Sequence, residues 1–173
     1  MVTKNNGVSD KWDRRFLDLA RFVGAWSKDP STKVGAVIVR PDRTVAALGY
    51  NGFPRGVLDH AERYADRKTK YAMVVHAESN ALLNSRESLE GYALYVTPLP
   101  PCSQCAAAII QRGIARVVID QQKEVPELWK EQFVVADTMF REAGVAVCVI
   151  PHTAKAQAND NSTVADPRPK VAS

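Results

Sequence analysis

Two short segments carry side chains that could do chemistry together: His76-Ala77-Glu78 and Pro101-Cys102-Ser103-Gln104-Cys105. Zinc favours imidazole nitrogen and thiolate sulfur. A catalytic zinc site supplies three protein ligands and leaves a fourth position for water. One His and two Cys meet that count, which makes His76, Cys102 and Cys105 the candidate ligands. Glu78 stands two residues beyond His76, within reach of such a water and of a substrate. It is not needed as a ligand, and a carboxylate there suits proton transfer. A structural site would need a fourth donor, yet Cys148 falls in the last expected strand and His60 and His152 fall in loops. A thioredoxin-like dithiol would leave His76 and Glu78 without a purpose. Cys148 reads as a buried apolar residue, and His60 and His152 as surface residues.

Each segment lies at the expected start of a helix, where exposed amides and positive partial charge help stabilise thiolates. One such helix runs from about His76 to Asn84, the other from Cys102 to Arg112. Ahead of them, Asp10 is placed to cap a helix with Phe16, Leu19, Ala20, Val23 and Trp26 on one apolar stripe, and Pro30 lies beyond its end. Strand-like runs over Val34–Arg40 and Val45–Tyr50 flank the turn segment Pro41–Thr44 and read as a hairpin. Asn51–Gly56 is too rich in turn residues to extend the second strand, and 58–71 reads as an irregular surface loop. Further strands are expected over Ala93–Thr97, Ala115–Asp120 and Val145–Ile150, with a helix over about Lys130–Ala143. Gly113 and Gly144 stand where helix C-termini need a left-handed residue. This alternation implies parallel strands with crossover helices, and the hairpin makes the α/β sheet mixed.

The 173 residues fit one domain, over 11–151, between a flexible leader (1–10) and a tail (152–173) whose polar composition predicts disorder. The net charge of +4 is mild and the basic residues are scattered. That leaves a nucleic-acid footprint open but without support, since such proteins usually carry a basic patch or stripe. It suits a small anionic substrate equally well, so charge does not decide between them. The three cysteines cannot build a disulfide framework. The N-terminus has no apolar core of a signal peptide, and no run of 18 apolar residues exists, so the expected location is cytoplasmic and no membrane partner is expected.

The joint His-x-Glu and Pro-Cys-x-x-Cys pattern resembles the signature of zinc-dependent nucleobase deaminases. In that chemistry zinc acidifies a water that attacks C4 of a cytosine, and the carboxylate, here Glu78, shuttles protons. Longer stretches narrow the resemblance. Ser27-Lys28-Asp29-Pro30-Ser31-Thr32-Lys33-Val34-Gly35-Ala36, Gly49–Gly56, Lys70-Tyr71, Val75–Ala81 and Ile109–Ile114 are similar to deoxycytidylate (dCMP) deaminases. The resemblance covers about residues 12–150. It implies a three-layer α/β/α fold with a mixed five-stranded sheet, and hydrolysis of dCMP to dUMP and ammonia, supplying thymidylate synthesis. It also implies that Asn51 bonds the nucleotide sugar, that Ser27 and Lys28 lie near its 5′-phosphate, and that the protein is a homo-oligomer, as a hexamer. Regulation by dCTP and dTTP with Mg2+ would act near Gly49–Gly56. Some relatives hold a second, structural zinc through extra Cys and His in the loop before the His-x-Glu. This loop has His60 and no cysteine, so one zinc per chain is expected. Deamination of another cytosine nucleoside or nucleotide stays open. So does action on single-stranded nucleic acid, for which Phe53, Tyr64 and Tyr71 with Arg55, Arg63, Arg67 and Lys68 would form the platform.

Overall fold

The computed structural model describes residues 11–121, 125 and 127–151. β1 (Gly35–Val39) pairs antiparallel with β2 (Val45–Tyr50) and with β3 (Ala93–Thr97), whereas β3, β4 (Arg116–Gln121) and β5 (Ala146–Pro151) run parallel. The sheet order is β2-β1-β3-β4-β5. The helices are α1 (Lys11–Gly24), α2 (Ala61–Ala65), α3 (Arg67–Met73), α4 (Ala77–Asn84), α5 (Ser103–Gln111) and α6 (Glu127–Glu142). The mixed sheet with its leading hairpin is the one expected.

Side chains alternate across the strands, and both faces of the sheet are covered, so all five residues of β1 are buried. On one face Val37, Val39, Tyr95, Val118 and Ile150 meet Phe16, Leu17 and Ala20 of α1. On the other, Ala36, Ile38, Leu94, Val96, Val117 and Ile119 meet residues of α4, α5 and α6. These two clusters make the three layers. Gly113 and Gly144 end α5 and α6 with φ of 76° and 73°, as the caps require. Gly49 has another task. A Cβ there would lie 2.2 Å from the Ala77 carbonyl oxygen and 2.4 Å from the Ala81 nitrogen. Only glycine lets α4 pack backbone against β2.

Four expectations need correction. The segment 58–71 is not an irregular loop but holds α2 and α3. Asp66 caps α3 by accepting from the Lys68 and Thr69 amides, and Tyr64 and Lys70 are buried beneath. Trp26 leaves the apolar stripe because α1 ends at Gly24. It is 51% exposed and stands edge-on to Phe22 and Tyr50, while Leu17 fills the core. Leu19 is half-buried at the margin of that cluster. Cys148 is half-buried rather than buried, at the edge of the α1 cluster. His60 is exposed at the start of α2, as expected of a surface residue. The leader, Asp10, the tail and His152 lie outside the described residues.

Candidate metal centre

His76 and Cys102 occupy the N-cap positions of α4 and α5, in extended conformation, and neither side chain is used to cap its helix. Both are therefore available to the space between the two helix starts. Cys105 lies on the first turn of α5 and faces the same point. The His76 Nδ1 atom is 3.5 Å from Cys102 Sγ and 3.4 Å from Cys105 Sγ. The three donor atoms lie within 4.8 Å of one another. Tetrahedral zinc with ordinary Zn–N and Zn–S bonds sets nitrogen and sulfur about 3.6 Å apart. The donor set and its spacing fit that ion.

The electrostatics fit it as well. The Cys102 thiol is lowered to about 4, mainly by its hydrogen bond from Cys105 and also by His76. The Cys105 thiol is pushed up because it keeps its proton against Cys102 and is buried. His76 is raised to about 9, chiefly by its bond to Cys102. The cluster holds its protons where a cation would stand, and a metal would displace them. Ser79 Oγ, 3.6 Å from Cys105 Sγ, adds an outer contact.

Glu78 sits in the first turn of α4 and is 3% exposed. The spacing of Ala77, Glu78, Ala81 and Leu82 explains this, since all four share the buried face of the helix. Burial pushes its carboxyl up to about 7, against the opposing pull of His76. A carboxyl in that range can both take and give a proton near neutrality.

His76, Glu78 and Cys102 open on a cavity of about 540 Å³, the size of a small-molecule site. Its walls include Asp29, Asn51, Arg67 and Lys70 on the polar side and Tyr71, Leu99, Trp129 and Phe133 on the apolar side. Asn51 is held by three bonds: its Oδ1 accepts from Val34 N at 2.8 Å, and its Nδ2 donates to Thr32 O at 2.9 Å and Asp29 Oδ2 at 3.4 Å. One Oδ1 lone pair is left for a ligand. Ser27 is buried behind this residue, donating to the Asn51 carbonyl at 2.7 Å. It does not line the cavity. Lys28 does not line it either: its side chain is 69% exposed and its ammonium is paired with Asp59 at 2.8 Å.

Sequence reasoning missed the pair that anchors the polar wall. Lys70 is 8% exposed and sits 2.9 Å from Asp29, with Ser31 Oγ at 3.2 Å. Both residues fall in the stretches quoted for the resemblance, but their charge argued for the surface. Of the aromatics in the alternative single-strand platform, Tyr71 lines the cavity and the other two pack together. Phe53 and Tyr64 stack on each other at 4.3 Å, and the Tyr64 hydroxyl donates to Asp59. Arg55 and Arg63 donate to Asn84 and to the Leu58 carbonyl.

Residues 10–121 match the model of the cytidine and deoxycytidylate deaminase zinc-binding region. The chain belongs to this family. Among relatives of the deaminase, the uncharacterized deaminase in the luxG 3′ region of Aliivibrio fischeri is 46% identical over 142 residues, spanning 82% of this chain and 95% of that protein. The deoxycytidylate deaminase of Mus musculus is 38% identical over 141 residues, spanning 78% of this chain and 77% of its own. The dCMP deaminase of cyanophage S-TIM5 shares the fold. Its apo form is 24% identical, with a TM-score of 0.64, over 83% of this chain and all of that one. Among the described residues no helix is long and apolar enough to cross a membrane.

Proposed function

We propose that this deaminase hydrolyses dCMP to dUMP and ammonia in the cavity above His76, Cys102 and Cys105. The observation that carries the reading is the convergence of three metal donors and a buried Glu78 beside a cavity of about 540 Å³, onto which His76, Glu78 and Cys102 open. The deoxycytidylate deaminases among its relatives support the substrate class.

His76, Cys102 and Cys105 would hold one zinc ion, which when bound supplies a water acidified towards neutrality. The chain's own groups do the rest. Glu78 takes the proton released as water oxygen bonds to C4 of the cytosine ring and passes it to the ring nitrogen. It then takes the second proton, from the C4 hydroxyl, and delivers it to the amino group; the C4–N bond breaks as the C4 carbonyl forms, and ammonia and the uracil form leave. Burial excludes bulk water from this exchange. The free lone pair of Asn51 Oδ1 accepts from a sugar hydroxyl, while Thr32, Asp29 and Val34 fix the amide. Tyr71, Leu99, Trp129 and Phe133 supply the apolar wall expected around a base.

A homo-oligomer, hexameric in form, and regulation by dCTP and dTTP remain part of this proposal on the strength of the resemblance alone, as does a cytoplasmic location. The direct test of the proton route is Glu78→Gln. Turnover of dCMP should fall by ~10²–10⁴-fold with the zinc content unchanged. Wild-type turnover in that variant would remove Glu78 from the chemistry.

A further inference from the structure

We infer that Arg67, at the start of α3, is the group that recognises the phosphate of the nucleotide, and that Lys28 is not. This deepens the dCMP reading and rests on it. One arginine and one lysine line the cavity, Arg67 and Lys70. Lys70 is committed, since its buried ammonium bonds both Asp29 and Ser31 Oγ. Lending it to a phosphate would leave Asp29, which is 4% exposed, without its counter-charge.

Arg67 is placed differently. Its Nε donates to the Tyr71 hydroxyl at 3.2 Å, and its guanidinium carbon lies 5.7 Å from the centre of the Tyr71 ring. Among the described residues no carboxylate pairs with it, and both Nη groups are without a hydrogen-bond partner. Tyr71 thus orients the planar fork while its two terminal nitrogens stay available. That is the arrangement suited to gripping two oxygens of a phosphate at once. The position also answers the charge of the cavity. Asp29 is neutralised by Lys70, so Arg67 gives the rim a net cation facing an anionic ligand.

Lys28 acts elsewhere. With Asp59 and Tyr64 it ties the loop before β1 to the segment that carries α2. The two assignments differ in what they predict for binding of the product. The test is calorimetric titration of the zinc-loaded full chain with dUMP and with deoxyuridine, for wild type, Arg67→Ala, Arg67→Lys and Lys28→Ala. We expect Arg67→Ala to lose ~10- to 100-fold in dUMP affinity with deoxyuridine affinity unchanged. Arg67→Lys should recover only part, because an ammonium cannot make the paired contact. The KM for dCMP should rise by the same factor with kcat little changed. Full dUMP affinity in Arg67→Ala overturns the inference, and a loss confined to Lys28→Ala returns the phosphate to the site first expected. Wild type that binds dUMP no better than deoxyuridine also overturns it. By contrast, wild type that binds dUMP through Arg67 but does not deaminate dCMP sinks the substrate reading and leaves the phosphate site standing.

Discussion

Replacing Gly49 with alanine should disable the metal centre from behind. The added Cβ would stand 2.2 Å from the Ala77 carbonyl oxygen, where ordinary contact begins near 3.4 Å. The atoms it meets, Ala77 O and Ala81 N, are backbone and cannot rotate away, so α4 must retreat from β2 by roughly 1 Å. Glu78 rides on the first turn of that helix and His76 caps it. The imidazole nitrogen lies 3.4 and 3.5 Å from two sulfur neighbours that are carried by α5 rather than α4. Metal–ligand distances tolerate deviations of only ~0.2 Å. A shift of that size should therefore lower zinc affinity ~10-fold or more, a loss like that from disturbing the groups behind metal ligands. In the zinc-saturated variant, misplacing Glu78 by ~1 Å should cost ~100-fold in kcat/KM. Overpacking should also lower stability by ~1–3 kcal/mol. Gly52→Ala is the control, because a Cβ there meets nothing nearer than a Tyr50 ring carbon at 4.0 Å. Zinc titration, thermal unfolding and dCMP turnover would be measured on both. A Gly49→Ala protein with wild-type zinc affinity, melting temperature and turnover would refute the link between that close approach and the site.

Other outcomes follow from the same geometry. Removing the metal with a chelator should abolish turnover and lower the melting temperature, with both restored by one equivalent of zinc per chain; activity that survives complete chelation would count against a catalytic metal. Asp13→Ala should cost about 2 kcal/mol, or roughly 4–8 °C in melting temperature, because it removes bonds of 2.6 and 2.7 Å from Arg116 and one of 2.9 Å from Tyr95. The cost stays low because Arg116 is one-third exposed and regains water. Burial would raise the Asp13 carboxyl, but the bonds from Arg116 and Tyr95 outweigh it and hold it below its ordinary value. Its contribution is therefore complete above ~4 and is lost as the pH falls through the folded value. Melting curves of wild type and Asp13→Ala should stay apart at neutrality and draw together only as the pH falls below ~4.

Much of the site was legible because its signals are local. A histidine or cysteine at a helix start, with a glutamate on the buried face two residues on, is written in adjacent letters. The strand periodicity and the glycines at 113 and 144 are equally local, and they mark the ends of α5 and α6 without reference to the rest of the chain. The polar wall was harder to read. Lys70 and Asp29 neutralise each other across 41 residues, and either alone reads as a solvated charge. The resemblance implies Lys28 near the phosphate, whereas its ammonium pairs with Asp59 of another segment, a partner that no local signal in the chain announces. The same holds for 58–71. Its polar composition hid two short helices, whose stability comes from the Asp66 cap and from burying Tyr64 and Lys70. Trp26 shows the converse error, an apolar residue at helical spacing placed just past the helix that would have carried it inward.

The most direct test is a side-by-side assay of ammonia release from dCMP, CMP, deoxycytidine and cytidine by the zinc-loaded protein. Turnover of dCMP with kcat/KM at least ~10-fold above that of deoxycytidine is the expected result. Failure to deaminate any of the four would contradict the assignment of this cavity to cytosine nucleotides.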